Sequence, residues 1–461
     1  MYEIRDPIHG TISFSERERQ IVDHKYMQRL RHIRQLGLSY LVYPGATHDR
    51  FSHCVGAMHV VSRIWDRVVE TSGEVLRQHF EDFDLQYFRR ILRLAGLLHD
   101  VGHPPLSHVS ERFMPPMSEL DLPDGWFSER QPNRQAKHED YSVLLIAALS
   151  KSKNSPLTRD EAQDIASLIH HDVTPSPAWE KRYGGPNSGR VGIHRLLRSF
   201  ISGELDCDRM DYLLRDAYYT GVAYGTYDMD HLISNLGVTE HQGTLVPTID
   251  STAVRAFEDF LLARFHMFLQ VYLHKTTVAF DRFLERAMLT NEVGLIIPGE
   301  ADGYARLRDS TITERLFDAA EYSDNAWSVR LVNRIPPKML FRSSNANAED
   351  RAILERLTGA LERAQVPYFQ VDSRQYLSKC SPILGQGVSS NLLVRRKMFG
   401  HIAFEPVERY SELLNKYNEV IDLSNLFVLR EHMPAAQKVI HDLGWPVVKG
   451  TSFGRQVKLL E

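Results

Sequence analysis

Residues 97–108 read LLHDVGHPPLSH. They close an apolar run, LQYFRRILRLAGLL (85–98), in which Leu85, Phe88, Ile91, Leu92, Ala95 and Leu98 recur at helical spacing. His99 and Asp100 follow at once, and Gly102 with Pro104 and Pro105 turns the chain, so His103 and His108 share the same short segment. A buried helix end carrying three imidazoles and a carboxylate is costly unless a cation or an anionic ligand satisfies it. The dipeptide itself says little, because His-Asp also occurs at 48–49, 171–172 and 441–442. The last two lie in contexts that read as structural.

Working outward, HDRFSHCVG (48–56) adds Arg50 and His53, and ELDCDRMDYLLRDAYYTG (204–221) adds a carboxylate-bearing helix. There Asp208, Tyr212 and Asp216 stand four residues apart and share one face, the outer two about 12 Å apart along the axis. Such a face can offer a metal-binding carboxylate at one end and a partner for a sugar hydroxyl at the other; a solvated acidic face is the plain alternative. Together His53, His99, Asp100 and Asp208 form a mixed nitrogen and oxygen donor set. That set suits Fe, Mn, Co or Zn better than Ca.

The rest of the chain bounds the reading. With 461 residues, 43% hydrophobic and 25% charged, it has the composition of a folded globular protein. A net charge of −4 argues against a generally nucleic-acid-coating protein. The run Val394–Lys397 is read as a solvated basic strand end, with a phosphate or nucleic-acid patch as the alternative. Three cysteines, Cys54, Cys207 and Cys380, cannot build a disulfide framework and fit a reducing, cytoplasmic setting. The opening MYEIRDPIHG has no apolar signal region, and no uncharged run approaches the ~20 residues of a membrane span.

Element patterns predict a hairpin over 1–14 and helices over 57–70, 85–98, 204–219 and 253–290, with surface loops at 114–136 and 174–192. Strand-like runs at 368–371, 391–394, 401–404 and 425–429 mix with helices at 349–364 and 408–420. Two domains are expected, 1–300 and 301–461.

The order H…HD…D resembles the HD-domain metal phosphohydrolase signature. The blocks RDPIHG (5–10), QRLRHIRQLG (28–37), VYPGATHDRFSHCVG (42–56), LLHDVGHPPLSH (97–108), KHEDYS (137–142) and LDCDRMDYLLRDAYYTG (205–221) narrow the likeness. They resemble the HD-domain deoxynucleoside-triphosphate triphosphohydrolases, nearest the SAM-and-HD-domain dNTPase branch. The likeness spans about 1–290 and thins over 300–461. It implies a mainly α fold: a helical HD-domain core with a smaller C-terminal α+β domain for assembly or regulation.

The resemblance also implies roles. His53, His99, Asp100 and Asp208 would bind the catalytic metal, with Mg accompanying the triphosphate. Arg50, His103, His108, His138, Arg209 and Arg264 would surround the triphosphate, and Glu111 with His138 would form a proton-transfer pair. His108 is the chosen general acid. Gln35 and Asp216 would hold the sugar 3′-hydroxyl, Leu36 and Tyr212 would pack on the deoxyribose, and Tyr272 would crowd the 2′ position. Asp23, Gln28 and Arg31 match guanine-reading effector positions for GTP or a dNTP. Arg5 stands where the branch has Asn, and Tyr2 where it has Lys. Val42, Tyr43, His274 and Lys275 suit either a second effector pocket or core packing. A homo-oligomer, dimer or tetramer, is expected of the family.

Three other readings stay open at this stage. An HD-GYP cyclic-dinucleotide phosphodiesterase would carry Lys where His103 stands. A guanosine tetraphosphate hydrolase leaves Gln35, Tyr212, Asp216 and Tyr272 without a purpose. A nucleotide-binding regulator with a vestigial site does not need the intact quartet.

Overall fold

The chain opens with β1 (Tyr2–Asp6) and β2 (Gly10–Phe14), paired antiparallel. The computed structural model describes residues 2–129, 131–185, 190–322, 326–344, 348–376, 392–417 and 420–445. Cys380 and the first residue of the 391–394 run lie outside them.

Helices follow the hairpin: α1 (Glu16–Val22), α2 (Lys25–Arg29), α3 (Arg50–Arg77), α4 (Asp82–Leu98), α5 (His108–Glu111), α6 (His138–Lys151), α7 (Arg159–Ile169), α8 (Pro177–Tyr183), α9 (Ile193–Ser199), α10 (Cys207–Thr220) and α11 (Met229–Ser234). Their ends are written in the sequence. Ser15 and Thr158 close capping boxes with Glu18 and Glu161, satisfying backbone N–H groups that would otherwise be orphaned. Asp49 and Asp206 cap α3 and α10, the two helices whose first turns carry His53 and Asp208. Trp65, Phe80, Phe88, Trp179 and Tyr183 pack edge-on or tilted, at centroid distances from 4.7 to 6.2 Å, and lock α3, α4 and α8 together. Each buried ring contributes about 1.5–3 kcal/mol by burial.

The structure departs from the sequence expectation in five places. Residues 236–250, expected within a mainly helical stretch, form the hairpin β3 (Leu236–His241) and β4 (Thr244–Asp250). Its turn places Gln242 and Gly243 at positive φ, the geometry a two-residue hairpin loop demands. The single helix expected over 253–290 is α12 (Val254–Met267), a π-helical turn at Phe268–Tyr272, and α13 (Lys275–Leu289). The loop at 174–192 contains α8. The loop at 114–136 buries Met117 and Trp126, so it is an anchored strap rather than a surface excursion. The helix expected over 408–420 breaks at Ser411 and gives way to a strand at Val420.

Later elements are α14 (Ala301–Tyr304), α15 (Asp309–Tyr322), α16 (Trp327–Val332), β5 (Lys338–Ser344), α17 (Ala348–Arg363), β6 (Phe369–Tyr376), β7 (Leu393–Met398), β8 (His401–Pro406), α18 (Val407–Tyr410), α19 (Glu412–Tyr417), β9 (Val420–Val428) and α20 (Met433–Asp442). Two units result. One comprises Met1–Met267, Leu295–Ile312 and Ser378–Asn418; the other Phe268–Gly294, Thr313–Leu377 and Glu419–Glu461. The chain thus passes between units repeatedly, not once near 300. The first unit is helical, with a small sheet ordered β3-β4-β7-β8 in which β4 and β7 run parallel. The second is α+β: an antiparallel sheet ordered β5-β9-β6 over a core of Leu340, Leu357, Leu361, Leu426, Val428 and Ile440. Among the described residues no helix is long and apolar enough to cross a membrane.

Candidate metal centre and anion cradle

Four predicted side chains meet at three helix ends: His53 in the first turn of α3, His99 and Asp100 just past α4, and Asp208 in the first turn of α10. His53 Nε2 lies 3.2 Å from His99 Nε2 and 3.1 Å from Asp208 Oδ1. His99 Nε2 is 3.5 Å from both Asp100 Oδ1 and Asp208 Oδ1, and His53 Nε2 is 3.8 Å from Asp100 Oδ2. Donors about 2.1 Å from one ion stand roughly 3.0–3.4 Å apart; His53, His99 and Asp100 form a group able to hold a single cation, and Asp208 stands beside its two imidazoles.

The outer hydrogen bonds give an independent reason. His53 Nδ1 donates to Asp211 Oδ2 at 2.7 Å, and His99 Nδ1 donates to the Gly96 carbonyl at 2.9 Å. Each acceptor lacks a proton, so in the neutral rings both Nε2 lone pairs face one another and two carboxylates. Positive charge must relieve that crowding. Burial opposes charging His53, yet Asp208 and Asp211 beside it push its pKa up to about 10. A divalent metal answers the same demand, and the donor set fits one.

Asp100 joins this centre to a cationic cradle. Burial opposes its ionisation, but His103, His99 and Arg50 hold the carboxyl well below the ordinary range. Arg50 donates to Asp100, to Ser107 Oγ at 3.0 and 3.2 Å, and to the Gln35 carbonyl at 3.4 Å. His103 Nε2 lies 3.3 Å from Asp100 Oδ1, and its ring stacks on His138 at 3.9 Å. Glu111 binds His138 Nδ1 through one oxygen and faces His108 Nδ1 at 3.3 Å through the other. Burial opposes the Glu111 anion, and the two imidazoles still hold its carboxyl far below the usual range.

The remaining predicted residues fall into three groups. Gln35 is buried and Leu36 half-buried beside the Arg50 network, and Asp216 accepts from His48 Nε2 at 2.8 Å. Arg209 is buried near Asp206 and Glu204, and the charges of Arg209, Arg264 and Asp208 all act on the Tyr212 hydroxyl. Among the described residues, Gln35 Oε1, His103 Nδ1 and Arg209 Nη1 are buried without a hydrogen-bond partner. These three polar atoms, each on a predicted position, fit contact with a polar or anionic ligand. Tyr272 belongs to the second unit, where it meets Phe268 at 4.9 Å.

Of the effector set, Gln28 accepts from Arg31 Nε at 2.9 Å, Arg31 lies over the Phe51 ring at 3.6 Å, and Asp23 caps α1. Arg5 donates to Thr11 on the hairpin at 2.5 Å. Of the other suggested pocket, Val42 and Tyr43 lie in the first unit and His274 and Lys275 in the second.

Sequence reasoning missed His48, Asp211 and Ser107. His48 had a signal, since it opens one of the four His-Asp pairs. Asp211 had only its place one turn beyond Asp208. His171 and Asp172 are in contact at 3.2 Å; neighbouring His170 is committed to Asp140 at 3.0 Å.

The chain belongs to the HD-domain family: the family described as HD domain matches residues 50–216. An uncharacterized protein of Bacillus subtilis, YwfO, is 30% identical over 80% of this chain and 78% of its own length. A protein of Methanocaldococcus jannaschii, also uncharacterized, is 31% identical over 63% of this chain and 49% of its own. The human deoxynucleoside triphosphate triphosphohydrolase SAMHD1 is 27% identical over 74% of this chain, which spans 52% of that protein. The solved structure of a hypothetical protein from Aquifex aeolicus shares the fold, with a TM-score of 0.69 at 24% identity over 95% of this chain and 99% of that one.

Proposed function

We propose that the protein hydrolyses deoxynucleoside triphosphates at the α-phosphorus, releasing a deoxynucleoside and inorganic triphosphate. The observation that carries this reading is Asp100, whose Oδ2 meets His53 and Arg50 and whose Oδ1 meets His99 and His103. A donor set for one cation and a cradle for polyanionic phosphate therefore share a carboxylate. The name of the human relative supplies the substrate class.

His53, His99, Asp100 and Asp208 would hold a divalent metal, and that ion would supply a lowered water pKa and polarisation of a phosphoryl oxygen. Arg50 is fixed by Ser107 and Gln35, so its fork meets phosphate oxygens without reorganising. Arg209 and Arg264 extend the positive charge along the triphosphate, with Mg neutralising the remainder. His103 faces the α-phosphate. Burial, Arg50 and His138 hold its pKa well below normal, and the charge of a phosphate beside it opposes that shift. His108, held through Nδ1 by Glu111, gives its proton to the 5′ oxygen as the P–O bond breaks. Glu111 keeps His138 oriented and favours its protonated form. Gln35 and Asp216, the latter braced by His48, bind the 3′-hydroxyl, and Leu36 and Tyr212 flank the sugar. Asp23, Gln28, Arg31 and Arg5 form the effector contact of a homo-oligomer.

The test is product analysis of the purified protein with each dNTP, with Mn or Mg, with and without GTP. Deoxynucleoside plus triphosphate is the expected result. Pyrophosphate plus monophosphate would overturn the assignment of the leaving group.

A further inference from the structure

Apart from Arg5, the N-terminal block RDPIHG finds no task in that mechanism, yet the side chains of Asp6 and His9 end up behind the metal centre. Asp211 receives four N–H groups. His9 Nε2 at 2.6 Å and Arg215 Nη2 at 2.8 Å go to Oδ1; His53 Nδ1 at 2.7 Å and Arg215 Nε at 2.8 Å go to Oδ2. Arg215 Nη1 reaches on to Asp6 Oδ2 at 2.8 Å. Asp6 Oδ1 in turn accepts the backbone N–H groups of Ile8 and His9, at 2.9 and 3.0 Å, which fixes the hairpin turn itself. None of the five side chains is more than 4% exposed. The loop is closed: the turn holds His9 and Asp6, they hold Asp211, and Asp211 sets which nitrogen of His53 carries the proton.

Space enforces the arrangement. A Cβ on Gly56, one turn after His53, would stand 1.9 Å from Asp211 Oδ1 and 2.4 Å from Arg215 Nη2. A side chain there would push the Asp211–Arg215 ion pair away from α3.

We propose that the β1–β2 turn is the outer wall of the metal centre: Asp6 and His9 are positioning residues that aim His53 through Asp211, so metal affinity depends on the seating of the hairpin. The inference rests on His53 being a metal ligand, and goes beyond it by assigning the turn a role. If the His9 contact is lost, Asp211 keeps Arg215 but no longer has its outer oxygen pinned by the turn. The imidazole then loses its fixed direction. Outer partners of this kind are worth about 10- to 100-fold in metal affinity.

The experiment uses the full chain, stripped of metal by chelation and titrated with Mn2+, free ion being counted by its electron paramagnetic resonance signal. His9→Leu should weaken binding by about 10- to 100-fold. His9→Gln, which restores an N–H donor toward Asp211, should recover most of the loss; His53→Ala should abolish specific binding. Wild-type affinity in His9→Leu, with binding lost in His53→Ala, would overturn the wall while leaving the metal centre intact. Equal binding by wild type and His53→Ala would remove the metal reading and this inference with it. A second measurement needs no variant. By reciprocity, a turn that tightens the metal is tightened by it. Adding Mn2+ to the wild-type protein should therefore slow hydrogen exchange at the Ile8 and His9 amides, and unchanged exchange would overturn the coupling.

Discussion

Gly102 carries the sharpest stability prediction. It follows His99-Asp100 in the turn and donates its N–H to Ser142 Oγ at 3.0 Å; that hydroxyl donates to the His99 carbonyl at 2.8 Å. Tyr304 donates to the Gly102 carbonyl at 2.6 Å. A Cβ at this position would lie 2.2 Å from the His138 carbonyl oxygen and 2.2 Å from the Ser142 nitrogen. Both are backbone atoms of α6, so no side-chain rotation can make room. The helix must withdraw by about 1 Å to regain van der Waals distance, breaking the Ser142 bridge and carrying His138 off His103. Two buried hydrogen bonds at about 1 kcal/mol each, plus about 1–3 kcal/mol of overpacking, put the cost of Gly102→Ala near 3–5 kcal/mol. Equilibrium urea unfolding measures it. Gly125→Ala serves as the comparison, because there φ is +77° with no atom within 4 Å, leaving only about 1 kcal/mol of backbone strain. A loss below about 1 kcal/mol in Gly102→Ala would refute the claim that the turn and α6 are in backbone contact.

Three further outcomes are expected. Arg50→Lys keeps the charge but loses the fork that reaches Ser107, Gln35 and Asp100, so steady-state kcat/KM for a dNTP should fall by about 100-fold or more; a change below threefold would remove Arg50 from the cradle. Tyr272→Ala should raise ATP turnover relative to dATP, and an unaltered ratio in a competition assay would reject the steric role. His194 donates to Ser167 Oγ, whose own proton goes to the Asp164 carbonyl, and burial with nearby Arg198 lowers its pKa to about 4. The unfolded chain takes up that proton near pH 6.5, so stability should fall as pH drops from 6.5 toward 4, by about 3 kcal/mol at pH 4. The Tm of His194→Gln should vary less across that window, and parallel curves would contradict the shift.

Much of this molecule is legible in one dimension. Apolar spacing over 85–98 yields α4, and of the mixed donor set read at His53, His99, Asp100 and Asp208 the first three gather in one group with Asp208 beside the imidazoles. What escapes is whatever depends on a distant partner. Asp211 looks like one more acid on a polar helix face until His9 and His53 arrive from far along the chain. The β3–β4 hairpin hides because four consecutive buried residues, Leu236–Thr239, carry no alternation to betray a strand. The break after Met267 has no proline or glycine to announce it; the chain tightens into a π turn instead. Conversely, the strap at 114–136 is polar enough to read as solvated, yet Trp126 pins it inward.

The parallel junction of β4 with β7 has a consequence for biosynthesis. Thr248–Asp250 pair with Leu393–Arg395, and Arg395 clasps Asp250 at 3.2 Å. The histidine-bearing unit therefore cannot finish its sheet while the ribosome is still translating the region between them. A nascent chain paused there would offer one flank of β4 as a bare strand edge, open to the wrong partner. Its final closure is a late event, slowed by the long loop that must be drawn shut.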